Sequence, residues 1–128
     1  MNRIVEFMYQ RDAFSQWLGI RRLEEEPGRS VLEMIVRPEM VNGFGIAHGA
    51  ITYSLADSAL AFASNSHGRK AVSIETSINH IKTVFVGDVL KAITEEITLS
   101  HKIGIYQIHI MRDDELILFS LISPLTNN

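Results

Sequence analysis

Cysteine is absent from the 128-residue sequence. This absence excludes disulfide bonds, thiolate metal sites and a cysteine nucleophile. An excess of positive charge is missing as well, because 12 Lys and Arg stand against 15 Asp and Glu, for a formal net charge of −3. The basic residues are scattered, whereas nucleic-acid binding usually shows as a basic stripe. We therefore expect no nucleic-acid partner.

Long apolar runs are also missing. No stretch approaches the roughly 20 apolar residues that a membrane-spanning helix needs. Near the N-terminus, Glu6 and then Gln10-Arg11-Asp12 stand where a signal peptide would have its apolar segment. We found no internal repeat, linker or low-complexity stretch. We expect a single domain over residues 1–128, cytoplasmic and without membrane contact, so that any ligand binds on this unit or between copies of it.

Two segments have the residue spacing of helices. Three- and four-residue spacings relate the apolar residues Ile4, Phe7, Met8, Phe14, Trp17 and Leu18, which predicts one amphipathic helix over about residues 3–19, ended by Gly19. The second segment, about residues 49–66, carries Ala, Leu, Ile, Phe and Tyr on nearly every side, and Gly68 suits its C-terminal cap. A helix that is apolar all round is predicted to be buried.

The remaining segments have the pattern of β-strands. The turn Glu26-Pro27-Gly28-Arg29 precedes a strand in which Leu32, Met34 and Val36 share one face, and Pro38 ends that strand. Ile, Val and Thr are frequent in four further predicted strands: Val72–Lys82, Val89–Leu99, Ile103–Arg112 and Leu116–Ser123. Their short turns indicate an antiparallel meander. The predicted class is α+β with a hotdog-like fold: an antiparallel sheet wrapped around one long buried helix, with an extra N-terminal helix and an outer face that meets a second subunit.

Asp57 is an unusual residue because it lies in the middle of the apolar helix, in the run Ser54-Leu55-Ala56-Asp57-Ser58. Burial of a carboxylate without partners is costly. Asp57 is either a structural carboxylate that accepts hydrogen bonds from Ser54, Ser58 or a neighbouring strand, or a nucleophile or general base that acts on a bound electrophile. The residues alone leave both interpretations open.

The start of the same helix is the second candidate site. Gly49 follows a glycine-rich loop, residues 39–48, and leaves backbone N–H groups uncovered at the positive end of the helix dipole. Such groups can stabilise the oxyanion of an acyl transfer, although glycines there also serve only to permit a turn. Asp57 follows Gly49 by eight residues, about 12 Å of helical rise. If both act on one carbonyl, they must come from two chains with antiparallel helices.

A longer pattern joins these candidates. Asn42-x-x-Gly45-x-x-His48-Gly49-Ala50 is followed by Leu55-Ala56-Asp57-Ser58-Ala59, then Asn65-Ser66, then Ile78-Asn79-His80-Ile81-Lys82 and Val86-Gly87-Asp88. Over roughly residues 30–123 the chain resembles the hotdog-fold PaaI-type acyl-CoA thioesterases, with the same order of elements.

The resemblance implies a role for each matching residue. The Gly49 amide would polarise the thioester carbonyl, His48 and Asn42 would shape the loop that holds it, and Asp57 of a partner chain would attack the carbonyl or activate a water. It further implies a dimer of dimers, pantetheine entering between subunits, no metal or redox cofactor, and an aryl-acetyl (phenylacetyl-CoA-like) or medium-chain acyl-CoA as substrate.

The chain also departs from the family pattern. Ala50 stands where the family usually has a second glycine, and Lys82-Thr83 stands where it usually has Arg-Pro. Lys82 could still meet a coenzyme A phosphate, as a point charge. We expect Ala50 and Lys82 to contact the substrate, together with Ser58, Thr76 and Asn79. The histidines His67, His80, His101 and His109 show no spacing that indicates a shared metal.

Two other functions compete with thioester hydrolysis. A hotdog hydratase or dehydratase would need an acid and a base near the α and β carbons, and His48 fits loop support better than that role. A non-catalytic module that binds acyl-CoA or a carrier-linked acyl chain should tolerate Asp57→Ala, whereas an enzyme should not. Nucleotide binding through Gly43-x-Gly45 is discarded, because the spacing to Gly49 does not match G-x-G-x-x-G.

Overall fold

A six-stranded antiparallel sheet and one long helix form the body of the computed structural model, which describes residues 2–127. The helices are α1 (Arg3–Gln10), α2 (Ala13–Trp17) and α3 (Gly49–Asn65), and a short 3-10 turn covers Pro38–Met40. The strands are β1 (Arg21–Glu26), β2 (Arg29–Ile35), β3 (Lys70–His80), β4 (Val89–Leu99), β5 (Gly104–Arg112) and β6 (Glu115–Asn127). The α+β class is confirmed. None of the helices described is long and apolar enough to cross a membrane.

The core lies between α3 and the inner face of the sheet. Strand side chains alternate between the two faces, so Tyr106, Ile108 and Ile110 of β5 all point inward and are buried. The helix α3 packs against this face with its own buried side chains: Leu55, Ala56, Ala59, Leu60, Phe62 and Ala63. Each fully buried Leu, Ile or Phe contributes about 1.5–3 kcal/mol. The alanines allow a close approach of helix to sheet, which fixes the position of α3 and of the residues it carries.

The hairpin predicted at the start of the sheet is confirmed. Gly28 has φ of 81°, the left-handed conformation that a turn with proline at its first corner requires at its second. β1 and β2 pair antiparallel across this turn, from Glu26 opposite Arg29 to Arg21 opposite Glu33. Leu32, Met34 and Val36 are all buried, as their alternation predicts.

The strand order differs from the simple meander that the short turns indicate. The sheet runs β1-β2-β4-β5-β6-β3, so β4, β5 and β6 form a meander but β3 pairs with β6 at the far edge. The segment 81–88 therefore carries the chain across the end of the sheet. It is held there by hydrogen bonds from the Ile81 N–H to the Ile117 carbonyl and from the Ala47 N–H to the Val84 carbonyl, both 2.8 Å. Strand pattern cannot reveal such a crossing, because it is made by contacts distant in sequence.

The single N-terminal helix predicted over about residues 3–19 is two helices, so that prediction was wrong. Asp12 has a non-helical backbone (φ −97°, ψ 82°), and its carboxylate accepts a hydrogen bond from the Ser15 N–H at 2.9 Å. Asp12 thus begins α2 as an N-cap and interrupts the helix after Gln10. Apolar residues at helical spacing lie on both sides of the break, which is why the periodicity did not show it.

The predicted burial of α3 is confirmed for most of the helix, with one exception in the single chain. One stripe along the helix is open to solvent, formed by Ala50, Tyr53 and Asp57 and flanked by the partly exposed Ser54 and Ala61. These positions recur every three or four residues, so they lie on one face. The rest of the helix is buried as predicted.

Candidate active site

The loop before α3 is closed on itself by Asn42. The Asn42 side-chain oxygen accepts hydrogen bonds from the backbone N–H groups of Phe44 at 2.9 Å and Ile46 at 3.2 Å. The backbone N–H of Asn42 donates to the Ile46 carbonyl at 2.8 Å. Gly45 has φ of 77° and completes the turn. The His48 N–H then donates to the Met40 carbonyl at 3.0 Å. Asn42 thereby fixes the path by which the chain enters α3.

The start of α3 is exposed and without a side-chain cap. His48 occupies the N-cap position, and within residues 2–127 no cap hydrogen bond is made by its side chain. Gly49, the first helical residue, is exposed. The first N–H groups of a helix have no acceptor inside the helix, and α3 is 17 residues long, so its dipole is fully developed at this end. The site can therefore bind a carbonyl or carboxylate oxygen.

A cleft of about 280 Å³ lies beside Gly49. It is lined by the end of the loop, the start of α3 and the segment that follows β3: Ile46, Ala47, Gly49, Thr52, His80, Ile81, Lys82, Thr83 and Val84. His80 is the nearest side chain to Gly49: a Cβ on Gly49 would lie 3.5 Å from the His80 Cε1 and Nε2 atoms. The His80 Nδ1 atom is 3.4 Å from the Thr52 hydroxyl, which holds the ring over the helix start.

Lys82 lines the same cleft but has an anionic partner in this structure. Its Nζ atom lies 2.7 Å from a carboxylate oxygen of Glu115, and both side chains are about half exposed. Exposed ion pairs of this kind contribute at most about 1 kcal/mol. Lys82 can therefore leave Glu115 for another anion at little cost.

Asp57 lies further along α3, on the exposed stripe. Among the described residues, none donates a hydrogen bond to its carboxylate, and neither Ser54 nor Ser58 does so: the Ser54 hydroxyl donates to the Ala50 carbonyl at 2.6 Å, and the Ser58 hydroxyl contacts Ser15. Asp57 is open to solvent on one side only, and desolvation by the protein around it raises the pKa of its carboxyl above the ordinary value; the negative charge of Asp12 raises it further. A carboxylate with a raised pKa and no internal partner is suited to accept a proton.

The other predicted contact residues lie in three different places. Ala50 is exposed at the helix start, next to Gly49. Ser58 is 8% exposed and bonds to α2. On β3, Thr76 is partly buried and its hydroxyl lies 3.2 Å from that of Ser73. Asn79 is exposed and directly precedes His80, so the two point to opposite faces of the sheet.

Sequence reasoning missed the contribution of His80 and Thr52 to the cleft. A signal was present, because His80 lies two residues after Ile78, which packs on the core, and alternate strand residues share a face. The sequence did not show that His80, at the end of β3, lies beside the first turn of α3. The part of the chain that the structure describes holds no group of three or more His, Asp or Glu placed to bind a metal ion.

Comparison with known proteins adds an independent observation. The profile of the thioesterase superfamily matches residues 44–118, which include the helix start, Asp57 and the cleft. That match covers more than half of the chain. The chain belongs to the thioesterase superfamily.

Individual relatives agree with this assignment. The chain is 40% identical to a putative esterase of Archaeoglobus fulgidus over 106 residues, which are 83% of the chain and 69% of the relative. It is 35% identical to the acyl-coenzyme A thioesterase PaaI of Escherichia coli over 108 residues, 84% of the chain and 77% of the relative. The structure of the E. coli PaaI protein from the phenylacetic acid degradation operon superposes with a TM-score of 0.96 at 30% identity, covering 98% of this chain and 92% of that one.

These findings confirm the PaaI-type resemblance and the hotdog fold. The protein is a thioester hydrolase, as the sequence predicted. The superfamily match begins at residue 44, so α1, α2 and the first hairpin lie outside it.

Proposed function

We propose that the protein hydrolyses an acyl-CoA thioester at a site shared by two copies of the chain. The observation that supports this most directly is the placement of two groups on α3. The uncapped Gly49 amide borders the cleft, and Asp57 lies on the exposed stripe about 12 Å further along the helix. One thioester carbonyl cannot reach both groups of one chain. A second chain, running antiparallel, would place its Asp57 beside the first chain's Gly49.

The exposed stripe fits such an arrangement. Tyr53 lies midway between Gly49 and Asp57 and is 39% exposed. A two-fold axis that passes near Tyr53 would bring Gly49 of each chain to Asp57 of the other. Asp57, which has no donor among the described residues of its own chain, would gain a bound water or substrate there.

The edge strand β3 offers the surface on which the second copy would pair. It has 11 residues, pairs with β6 alone among the described strands, and exposes Val72 and Ile74, each to 54%. A long apolar edge strand is a template for pairing with another chain. Antiparallel pairing of two β3 strands would extend the sheet across the two-fold axis, on the same side as the α3 stripes. A further pairing of such dimers through the outer sheet face would give the dimer of dimers.

In the proposed reaction Asp57 is the general base. It removes a proton from a water, and the water oxygen attacks the thioester carbonyl. The Gly49 N–H stabilises the resulting oxyanion. The C–S bond then breaks, the proton passes to the thiolate, and the products are a free carboxylic acid and coenzyme A. The raised pKa of Asp57 makes its carboxylate a stronger base once it is ionised, which suits this role.

The substrate would be an acyl-CoA with an aryl-acetyl or medium-chain acyl group. The relative from E. coli is an acyl-coenzyme A thioesterase from a phenylacetic acid degradation operon, which puts aryl-acetyl groups first. Lys82 would leave Glu115 to pair with a phosphate of the coenzyme, while the methyl of Ala50 would narrow the approach of the acyl group to the Gly49 amide. Asn42 and His48 would shape the loop that precedes Gly49. Thr76 and Asn79 would contact the substrate from β3.

Release of free thiol from a panel of acyl-CoAs tests the proposal. Wild type should turn over at least one aryl-acetyl or medium-chain substrate. Asp57→Asn should lose about 10²–10⁴-fold of the rate, the usual contribution of a general base. Asp114→Asn, which neutralises an exposed turn carboxylate, serves as the matched control and should keep full rate. Absence of turnover in wild type on the whole panel, or full activity in Asp57→Asn, would refute the proposal.

A further inference from the structure

A chain of polar groups, of which the two serines are buried, links the N-terminal segment to the turn of α3 that carries Asp57. The Asp12 carboxylate accepts two hydrogen bonds from Ser15, from its N–H at 2.9 Å and from its hydroxyl at 2.5 Å. The Ser15 hydroxyl oxygen lies 2.8 Å from the Ser58 hydroxyl oxygen. Ser15 is 1% exposed and Ser58 is 8% exposed. Ser58 is the residue next to Asp57.

The direction of these hydrogen bonds follows from the chemistry of the carboxylate. An ionised carboxylate can only accept, so the Ser15 O–H must donate to Asp12. The Ser15 oxygen must then accept, and the Ser58 O–H must be its donor. Ser58 is thereby fixed in one orientation. The hydroxyl that was a candidate for substrate contact has its proton engaged with α2, and the helix turn that contains it is tied to Asp12.

We propose that Asp12 is a positioning residue for Asp57, acting through the Ser15–Ser58 hydroxyl chain, and that the N-terminal segment is therefore part of the catalytic apparatus. This inference rests on the proposed role of Asp57 as base. Asp12 and Ser15 precede the region that matches the superfamily profile, residues 44–118. The catalytic helix thus depends on an element outside the superfamily core.

Asp12 also affects Asp57 through its negative charge, in addition to the chain of hydroxyl groups. The negative charge of Asp12 disfavours the ionised form of Asp57 and so contributes to the raised pKa of Asp57, after desolvation. Since a stronger base transfers protons more readily once it is ionised, Asp12 should raise the maximal rate and also move the acid limb of the rate profile to higher pH.

Two other acidic groups on elements that pack against α3 are paired with basic side chains. Glu6 of α1 pairs with Arg22, and Glu96 of β4 pairs with His67. His80 of β3 and His48 lie at the start of α3, away from the Asp57 of their own chain. In the proposed dimer His48 and His80 of the second chain would face Asp57, so a test must follow the Asp57 carboxyl itself.

The variant Asp12→Asn separates charge from structure. Asn is as good an N-cap as Asp and can still accept a hydrogen bond from Ser15, so α2 should remain folded and the melting temperature should change little. Ser15→Ala is the complementary change, because it keeps the charge and removes the hydroxyl chain. Glu6→Gln, which neutralises another acid of the same segment, is the matched control.

The experiment is a carbon-13 NMR titration of the Asp57 carboxyl in each full-length variant, paired with the pH profile of hydrolysis. We expect Asp57 in Asp12→Asn to titrate at lower pH than in wild type, with the acid limb of the rate moving the same way and the maximal rate falling. Ser15→Ala should lower kcat without a matching change in KM, and Glu6→Gln should match wild type.

Titration of Asp57 at the same pH in wild type and Asp12→Asn, together with unchanged kcat in Ser15→Ala, would overturn the inference and leave Asp12 as a helix cap only. The NMR titration needs no substrate. A wild type without hydrolytic activity would therefore refute the proposed function, while the titration would still decide whether Asp12 acts on Asp57.

Discussion

Gly49 borders the cleft without a side chain of its own, and space for a small one exists. A Cβ there would lie 3.5 Å from the His80 ring, an ordinary van der Waals distance. We expect Gly49→Ala to fold and to be slightly more stable, by up to about 1 kcal/mol, because alanine is the better helix former. The added methyl would keep the thioester carbonyl from the amide. Hydrolysis should fall about 10²–10³-fold, as for loss of an oxyanion donor.

Gly43→Ala is the control for this prediction. Nothing lies within 4 Å of a Cβ at Gly43, and its φ is not positive. Steady-state kinetics and thermal unfolding of both variants check the prediction. Wild-type turnover by Gly49→Ala would mean that the helix start does not contact the substrate.

Asp57 also links stability to pH. Its pKa is raised in the folded chain, so folding favours the protonated form. The stabilising contribution is fully present below the unfolded-state pKa, near 3.8, and is lost as pH rises through the higher folded-state value. We therefore expect Asp57→Asn to melt at a higher temperature than wild type at pH 7, with the two curves converging under acid conditions. Thermal unfolding of both proteins at pH 7 and under acid conditions measures this difference. A lower melting temperature for Asp57→Asn than for wild type at pH 7 would contradict the prediction.

At the level of elements, β3 is an edge strand, and one of its two sides is not paired with another described strand of the same chain. If two β3 strands pair, Ile74→Lys should place charges at the new interface and convert the assembly to a smaller species, with loss of hydrolysis. Ile97→Lys makes the same change at a similarly exposed isoleucine of β4, an interior strand, where exposure is 53%. It should keep the β3 pairing.

Light scattering during size-exclusion chromatography, followed by thiol release on the separated species, checks this prediction. Unchanged mass and unchanged activity in Ile74→Lys would exclude β3 as the pairing edge. Circular dichroism of both variants would show that the fold is retained.

The elements also show where sequence patterns are informative. The alternation of Leu32, Met34 and Val36 predicted their burial correctly, because a strand with one covered face imposes period two. The spacing from Ile4 to Leu18 failed to show the break at Asp12, since a cap depends on one hydrogen bond from Ser15 and leaves the apolar spacing on either side of it unchanged. Periodicity reports the buried face and not the continuity of the backbone.

At the level of the whole molecule, a shared site predicts complementation. Gly49→Ala and Asp57→Asn would each inactivate both sites of their own dimer. In a mixed dimer, one site would carry both changes and the other would be wild type. Since half of randomly formed dimers are mixed, unfolding and refolding the two variants together should restore about a quarter of the wild-type activity.

The control for complementation is to refold each variant alone, which should restore nothing. If Gly49 and Asp57 of one chain act together, every site in the mixture carries a mutation and activity should stay absent. The thiol-release assay on refolded dimers of confirmed mass therefore separates a site between chains from a site within one.

The sequence by itself determined the class of the fold, the extent of α3, the hairpin at Gly28 and the residues around the helix start. Local rules govern all of these: side-chain periodicity, turn chemistry and the order of residues in the run from Asn42 to Asp57. It also predicted that Gly49 and Asp57 of one chain lie too far apart to share a carbonyl, because helical rise is fixed.

Only the tertiary structure decided which strand lies beside which, that His80 faces Gly49, that one stripe of α3 is open and that Ser58 is tied to Asp12. Each of these features depends on how residues far apart in the chain pack together. The positions of β3 and of α2 are set by how the whole sheet and helix pack, and no local pattern in the sequence carries that information.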